Sequence, residues 1–296
     1  MSVELIYDAR NIVGESIIWD DRLKRLFWID IIDKHIHSFE PNNGIHEVWK
    51  TPNFITSIGL CKNNDFIIGG MKNIYFWNLD NEFRQFTNIE SHIPGNRLNE
   101  GVVAPDGSFW VGTMQKNFSA DGIPTDITET SGKIYRCTAD GKLEQMTKDK
   151  FGITNTFIWT KTGQFITADT TKNQIYRYDL DKKTSKLTNR KTILQYFDRG
   201  LPDGSCIDQD GYFWNCRVVG GSCIARISSD GTIDQVVDLP CSWPTSCTFG
   251  GKNFDTLYIT SARFTMSEEH LAANPQEGAI FAFKPNIGGL PQNKFG

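Results

Sequence analysis

One phrase recurs along this chain, and it limits what the chain can fold into. An apolar pair runs into a polar turn, then an aromatic strand, then a further strand. It reads Ile18-Trp19-Asp20-Asp21 before Leu26-Phe27-Trp28, and Val103-Ala104-Pro105-Asp106-Gly107 before Phe109-Trp110-Val111. It returns as Trp159-Thr160-Lys161-Thr162-Gly163 before Phe165-Ile166, and as Ile207-Asp208-Gln209-Asp210-Gly211 before Phe213-Trp214. Weaker copies are Asn63-Asn64-Asp65-Phe66 and Lys252-Asn253-Phe254-Asp255. Marked at Asp21, Asn64, Asp106, Thr162, Asp210 and Asn253, the copies stand 43, 42, 56, 48 and 43 residues apart.

Each copy is followed by another strand and often a second turn, as in Lys133-Ile134-Tyr135-Arg136 before Asp140-Gly141. Four strands per unit of about 40–50 residues is the period of a propeller blade. Six units fill the 296 residues. The expected fold is therefore all-β, a six-bladed β-propeller forming one domain over 1–296, with a β-sandwich or double barrel as the alternative. The 26 Gly suit its tight turns, and the 20 Phe, 8 Trp and 8 Tyr suit its strands. The one long interval is explained by an insertion at 117–130, rich in Gly, Pro, Asp and Thr and a candidate lid. A strand at 3–7 is expected to pair with 279–283 and close the ring. Helix is expected only as a turn at 267–272.

The 31 Lys+Arg against 35 Asp+Glu give a net charge of −4. This argues against a nucleic-acid or anionic-membrane partner, which selects for a basic face. No stretch approaches the roughly 18 apolar residues of a membrane helix. The opening MSVELIYDAR has neither a basic nor an apolar signal region. The seven cysteines include no C-x-x-C pair, so the expectation is reduced, mostly buried thiols in a cytoplasmic protein. Composition leaves the oligomeric state open.

Seven residues before four of the turn markers stand Asn99, Asn155, Asp203 and Ser246, and seven before the second stands Ser57. Six before the first stands Glu15, the irregular turn there absorbing one residue. One phase is thus polar in all six repeats, at the point where a propeller's innermost strands begin at one mouth of its channel. Glu15, Asn99, Asn155 and Asp203 would converge there as an oxygen set carrying two negative charges. Such a set matches a hard divalent cation, and facing carboxylates without one would raise each other's pKa. The competing reading is that these residues cap turns at strand starts.

The words around these positions resemble the SMP-30/gluconolactonase/regucalcin-like family of sugar-lactone lactonases. They are Gly14-Glu15-Ser16 with Trp19, Asn96-Arg97-Leu98-Asn99-Glu100-Gly101, Gly112-Thr113-Met114 and Thr154-Asn155-Thr156. Leu201-Pro202-Asp203-Gly204, Phe249-Gly250-Gly251 and Leu257-Tyr258-Ile259-Thr260-Ser261-Ala262 complete the series in the family's order. The resemblance implies one catalytic divalent cation on Glu15, Asn155 and Asp203, without choosing among Ca²⁺, Mg²⁺, Mn²⁺, Zn²⁺ and Fe²⁺. It implies that Arg97 and Asn99 contact the sugar lactone. Glu100 stands where the family commonly has Asp and is carried over as a substrate-site residue. Gly152-Ile153 before Thr154-Asn155 is a second departure, and the insertion at 117–130 falls where family members cover the channel.

The expected reaction is hydrolysis of an aldonolactone, such as an arabinono-, xylono- or glucono-lactone, to its sugar acid. Asp203 is the expected base and Arg97 the expected donor fork. No G-x-S-x-G elbow supplies a serine nucleophile. Among the five histidines, His35 and His37 share a face of a probable strand and are expected at the solvent-facing outer edge of the first repeat. Phe118, Phe157 and Trp243 are candidates for an aromatic mouth, which an arylesterase or phosphotriesterase on the same scaffold would want. A non-catalytic calcium-binding propeller is the other alternative.

Overall fold

A computed structural model describes residues 2–80, 82–181, 183–184 and 186–296. The strands form six sheets, each built on four antiparallel strands with a short fifth strand added to the second, and the innermost strands contact one another in a closed ring. The fold is the six-bladed β-propeller that the repeats predict. The first blade shows the pattern, with strands Gly14–Asp20, Arg25–Asp30, His35–Glu40 and Ile45–Lys50. Burial falls from the channel outward. The innermost and second strands are almost wholly buried, whereas Ile45–Lys50 is largely exposed and carries Glu47 and Lys50 on its free edge. Charges there discourage edge-to-edge pairing.

Closure is by hydrogen bonding. The sixth sheet takes Pro244–Gly250, Thr256–Ser261 and Ile280–Phe283 from the end of the chain and Glu4–Tyr7 from its start, with Glu4 opposite Ala282. The short strand Lys294–Phe295 runs parallel to the innermost strand Ile55–Cys61 of the second blade. A six-residue helix, Glu268–Ala273, is N-capped by Ser267, which accepts from His270 N at 3.1 Å. No helix among the described residues is long and apolar enough to cross a membrane.

The turn of the fifth copy shows how the phrase is held together. Asp208, fully buried, accepts from the backbone of Asp210 and Tyr212, from Trp214 Nε1 at 3.1 Å and from Arg226 Nε at 2.7 Å. One carboxylate thus ties the turn to the two strands that follow it. The glycine closing that turn, Gly211, sits at φ +92, a conformation costly for any side chain. The aromatics pack between blades in tilted and edge-on pairs: Phe27 lies 4.7 Å from Phe66, Trp110 4.9 Å from Phe165, and Trp214 5.6 Å from Phe283. Such pairs contribute about 0.5–1.5 kcal/mol each beyond the area they bury.

All seven cysteines are free, six of them buried. The solvent-face expectation for His37 is corrected. It is buried, stacks on Trp28 at 5.0 Å and hydrogen-bonds His46 at 3.1 Å, while His35 is half-buried beside Asp33. His37 lies on the third strand directly opposite the buried Trp28 of the second, so the two side chains share one face of the sheet, the face on which Trp28 packs against the neighbouring blade.

Candidate functional site

Every innermost strand is bulged at the same place. Its register against the second strand shifts between Glu15 and Ile18, Ile55 and Ser57, Leu98 and Gly101, Asn155 and Ile158, Pro202 and Ser205, and Pro244 and Cys247. A bulge inserts a residue and re-aims the side chains around it. Ser16 and Thr156, immediately after Glu15 and Asn155, take left-handed backbone at φ +51 and +61. The bulges also lock neighbouring blades. Thr156 Oγ1 donates to Asp203 O at 2.5 Å, and Ile58 N donates to Ser16 Oγ at 2.9 Å.

The bulges divide the polar phase between two levels of the channel. Glu15, Asn99, Asn155 and Asp203 line a cavity of about 140 Å³ at the mouth where the innermost strands begin. Ser246 and Glu100 line a larger cavity of about 360 Å³ on the far side, beside Cys206 and Cys247. Ser57 is buried against glycines, its hydroxyl unpartnered among the described residues. Glu100 is therefore not brought to the upper cavity; its carboxylate accepts from Thr156 N at 3.2 Å.

Around the upper cavity the hydrogen bonds run in one chain. Arg97, 5% exposed, donates from Nη1 to Asn99 Oδ1 at 2.7 Å and to Leu98 O at 2.8 Å. Its Nε and Nη2 both reach Asn117 Oδ1, at 3.2 and 3.0 Å, and its guanidinium lies 5.2 Å from the Phe118 ring centre. Asn99 Nδ2 donates to Thr154 O at 3.0 Å and to Asn155 Oδ1 at 3.1 Å. Asn155 Nδ2 donates to Thr170 Oγ1 at 2.8 Å, and Thr170 in turn to Pro202 O at 2.8 Å. The amide orientations of Asn99 and Asn155 follow from this network.

Burial, and secondarily the Glu100 charge, pushes the Glu15 carboxyl up to about 8. Burial, then Glu15 and Glu100, holds Asp203 well above the usual carboxylate range. Burial takes Glu100 to about 7, two backbone N–H groups opposing it. Burial also lowers Arg97 to about 10 against the pull of Glu15 and Asp203. Two carboxylates held out of water and pressing on each other favour protons or a cation. With the Asn155 amide oxygen they form a hard, oxygen-only donor set, which fits a divalent ion. Among the described residues no three His, Cys, Asp or Glu side chains are placed to share an ion, so any such set depends on that amide.

Asn117, Thr170, Val219 and Phe264 also line the cavity, and sequence reasoning did not single them out as site residues. The first three lie within two residues of the end of their blades' second strands Phe109–Gln115, Gln164–Asp169 and Phe213–Val218. That shared offset is a signal the repeats contain. Of the aromatic candidates, Phe118 and Trp243 line this cavity and Phe157 the lower one. The 117–130 segment packs over the channel edge: Phe118 is 4.9 Å from Phe54, and Gln115 Oε1 accepts from Thr128 N and Glu129 N.

A family profile described as SMP-30/Gluconolactonase/LRE-like region matches residues 13–263. The chain is 29% identical over 289 residues to 6-deoxy-6-sulfogluconolactonase of Pseudomonas putida, covering 96% of this chain and 95% of that one. It is 27% identical over 300 residues to regucalcin of Gallus gallus, covering 100% and 98%. A solved luciferin-regenerating enzyme superposes with a TM-score of 0.89 at 25% identity, covering 99% of both chains. The profile spans the innermost strands of all six blades, every bulge and every upper-cavity residue except Phe264: the chain belongs to the SMP-30/gluconolactonase/LRE-like family.

Proposed function

We propose that this protein is a metal-dependent carboxylic-ester hydrolase that opens a sugar lactone to its acid. The observation that carries the reading is the meeting of Glu15, Asn155 and Asp203 in one small cavity beside the Arg97–Asn99 pair. The lactonase named among the relatives supports it. Glu15, Asn155 and Asp203 would hold the divalent ion, which would supply Lewis acidity toward the lactone carbonyl.

The chain's own groups do the rest. Asp203 takes a proton from the attacking water and returns it to the departing ring oxygen. Arg97 and Asn117 donate to substrate hydroxyls and to the developing carboxylate. Asn99 fixes both Arg97 and Asn155. Glu100 holds the Thr156 turn from below. Phe118 and the rest of 117–130 cover the channel mouth as a wall of a single 1–296 domain, which accords with a cytoplasmic enzyme having seven free thiols.

The test follows acid release in a pH-stat from arabinono-, xylono- and glucono-lactones, with phenyl acetate and a phosphotriester alongside. Chelated and metal-reconstituted protein are compared. The reading expects lactone opening that chelation abolishes and a divalent ion restores. Activity confined to the aryl ester or phosphotriester, or lactone opening indifferent to complete metal removal, overturns it.

A further inference from the structure

Val219 holds a backbone conformation that its side chain disfavours. Its φ is +58, in the left-handed region where β-branched residues are genuine outliers. It follows the strand Phe213–Val218 and precedes Gly220 and Gly221, and Gly or Asn would take the same conformation without the clash. The turn is held in place by Gly220 N donating to Ser242 O at 3.1 Å and Leu239 N to Ser222 O at 2.8 Å. Core burial does not compensate the strain, because Val219 is 48% exposed. Val219 instead lines the upper cavity with Trp243 and Phe264. Strain of this kind, kept where packing does not require it, is characteristic of ligand contacts.

The cavity it lines is one-sided. Hydrogen-bonding capacity beyond the metal-binding set is concentrated on the third blade. There Asn117 Nδ2 has no partner among the described residues, and Arg97 has one N–H beyond its four bonds. The hydroxyls of Thr170 and Thr245 already donate to Pro202 O and Gly14 O. The opposite side is Val219, Trp243, Phe264, Val13 and Ile31, whose side chains carry a single hydrogen-bonding group, the Trp243 indole N–H. A cavity of about 140 Å³ holds one six-membered ring and little more. A hydroxyl turned toward Val219 exchanges part of its hydration for contact with hydrocarbon and meets no side-chain partner on Val219, so that side favours a carbon-and-hydrogen edge.

We propose that Val219 is a specificity-determining contact, and that the substrate is a deoxygenated sugar lactone presenting its hydroxyls to Arg97 and Asn117 and a carbon-and-hydrogen edge to Val219. This rests on the lactonase reading and narrows it.

The test uses metal-reconstituted wild type and Val219→Asn with lactone pairs of matched stereochemistry: rhamnono- against mannono-1,4-lactone, fucono- against galactono-1,4-lactone, and 2-deoxyribono- against ribono-1,4-lactone. Expected in wild type is a kcat/KM at least about 10-fold higher for the deoxy member of one or more pairs. Val219→Asn relieves the backbone, so its Tm is unchanged or raised, while KM for the deoxy lactone rises about 10-fold and the preference collapses. A merely structural Val219 would not combine retained stability with a selective KM change. Equal or better hydrolysis of the hydroxylated member in every pair overturns the proposal and leaves lactonase function standing, as does a preference that Val219→Asn does not alter. Absence of hydrolysis for any lactone overturns the lactonase reading and this inference with it.

Discussion

Asn99 on the third blade donates from Nδ2 to Oδ1 of Asn155 on the fourth, 3.1 Å away. One amide thereby orients the next across a blade boundary, and a single side chain links Arg97 to the oxygen set of Glu15, Asn155 and Asp203. The consequences are measurable at several points.

Asp203→Asn removes one of three buried carboxylates, the others Glu15 and Glu100, while keeping its shape. Lactone turnover is expected to fall by about 10²–10⁴-fold. The Tm of the chelated protein should hold or rise, because the neutral amide carries no desolvation or like-charge penalty. Circular dichroism melts and pH-stat rates on the same preparations check both. Wild-type turnover in the variant would remove Asp203 from the role of base.

A divalent ion that binds only the folded chain stabilises it by mass action, about 2.7 kcal/mol at 100 times its Kd. For a chain of this size that is roughly 4 °C in Tm. Calorimetry with and without chelator should show this shift, and Glu15→Gln should abolish most of it. An identical Tm in both conditions counts against an ion on Glu15, Asn155 and Asp203, whatever the enzyme's activity.

His37 makes stability depend on pH. Burial, then His46 and His35, depresses it to about 3, against about 6.5 in an unfolded chain. Above pH 6.5 neither state is protonated, and the site has no effect. As pH falls from 6.5 toward 3, the unfolded chain binds a proton that the folded one refuses, and stability is lost. At pH 5 the loss is about 2 kcal/mol. Urea melts between pH 7 and 4.5 should show a steeper decline in wild type than in His37→Phe, which keeps a ring on Trp28 but cannot be protonated.

Gly101 follows Glu100 where the third-blade bulge ends. A Cβ there would meet the Ser57 hydroxyl and lie 2.7 Å from Phe109 Cζ. Gly101→Ala is expected to cost about 1–3 kcal/mol by overpacking, seen as a lower urea midpoint with an unchanged m-value. Gly44→Ala, with open space around its Cβ but φ +75, separates backbone strain from the crowding effect.

The blade repeat was legible in the sequence because the devices that make it are local. An Asp that caps its own turn, a Gly at positive φ and aromatic strands at a fixed spacing need no knowledge of distant residues, and Asp208, Gly211 and Trp214 carry all three. The same periodicity put Glu15, Asn99, Asn155 and Asp203 in one phase, and these four do share a cavity. Tertiary structure decided which members of the phase face which end of the channel. Strand side chains alternate with period two, so one inserted residue sends its neighbours to the other side. The six bulges separate Asp203 from Ser246 and Asn99 from Glu100 in that way. Asn117, Thr170, Val219 and Phe264 became neighbours only when the ring closed, because they come from loops of different blades with no bond between them along the chain. Composition and local pattern determine the blade; closure and bulging determine the site.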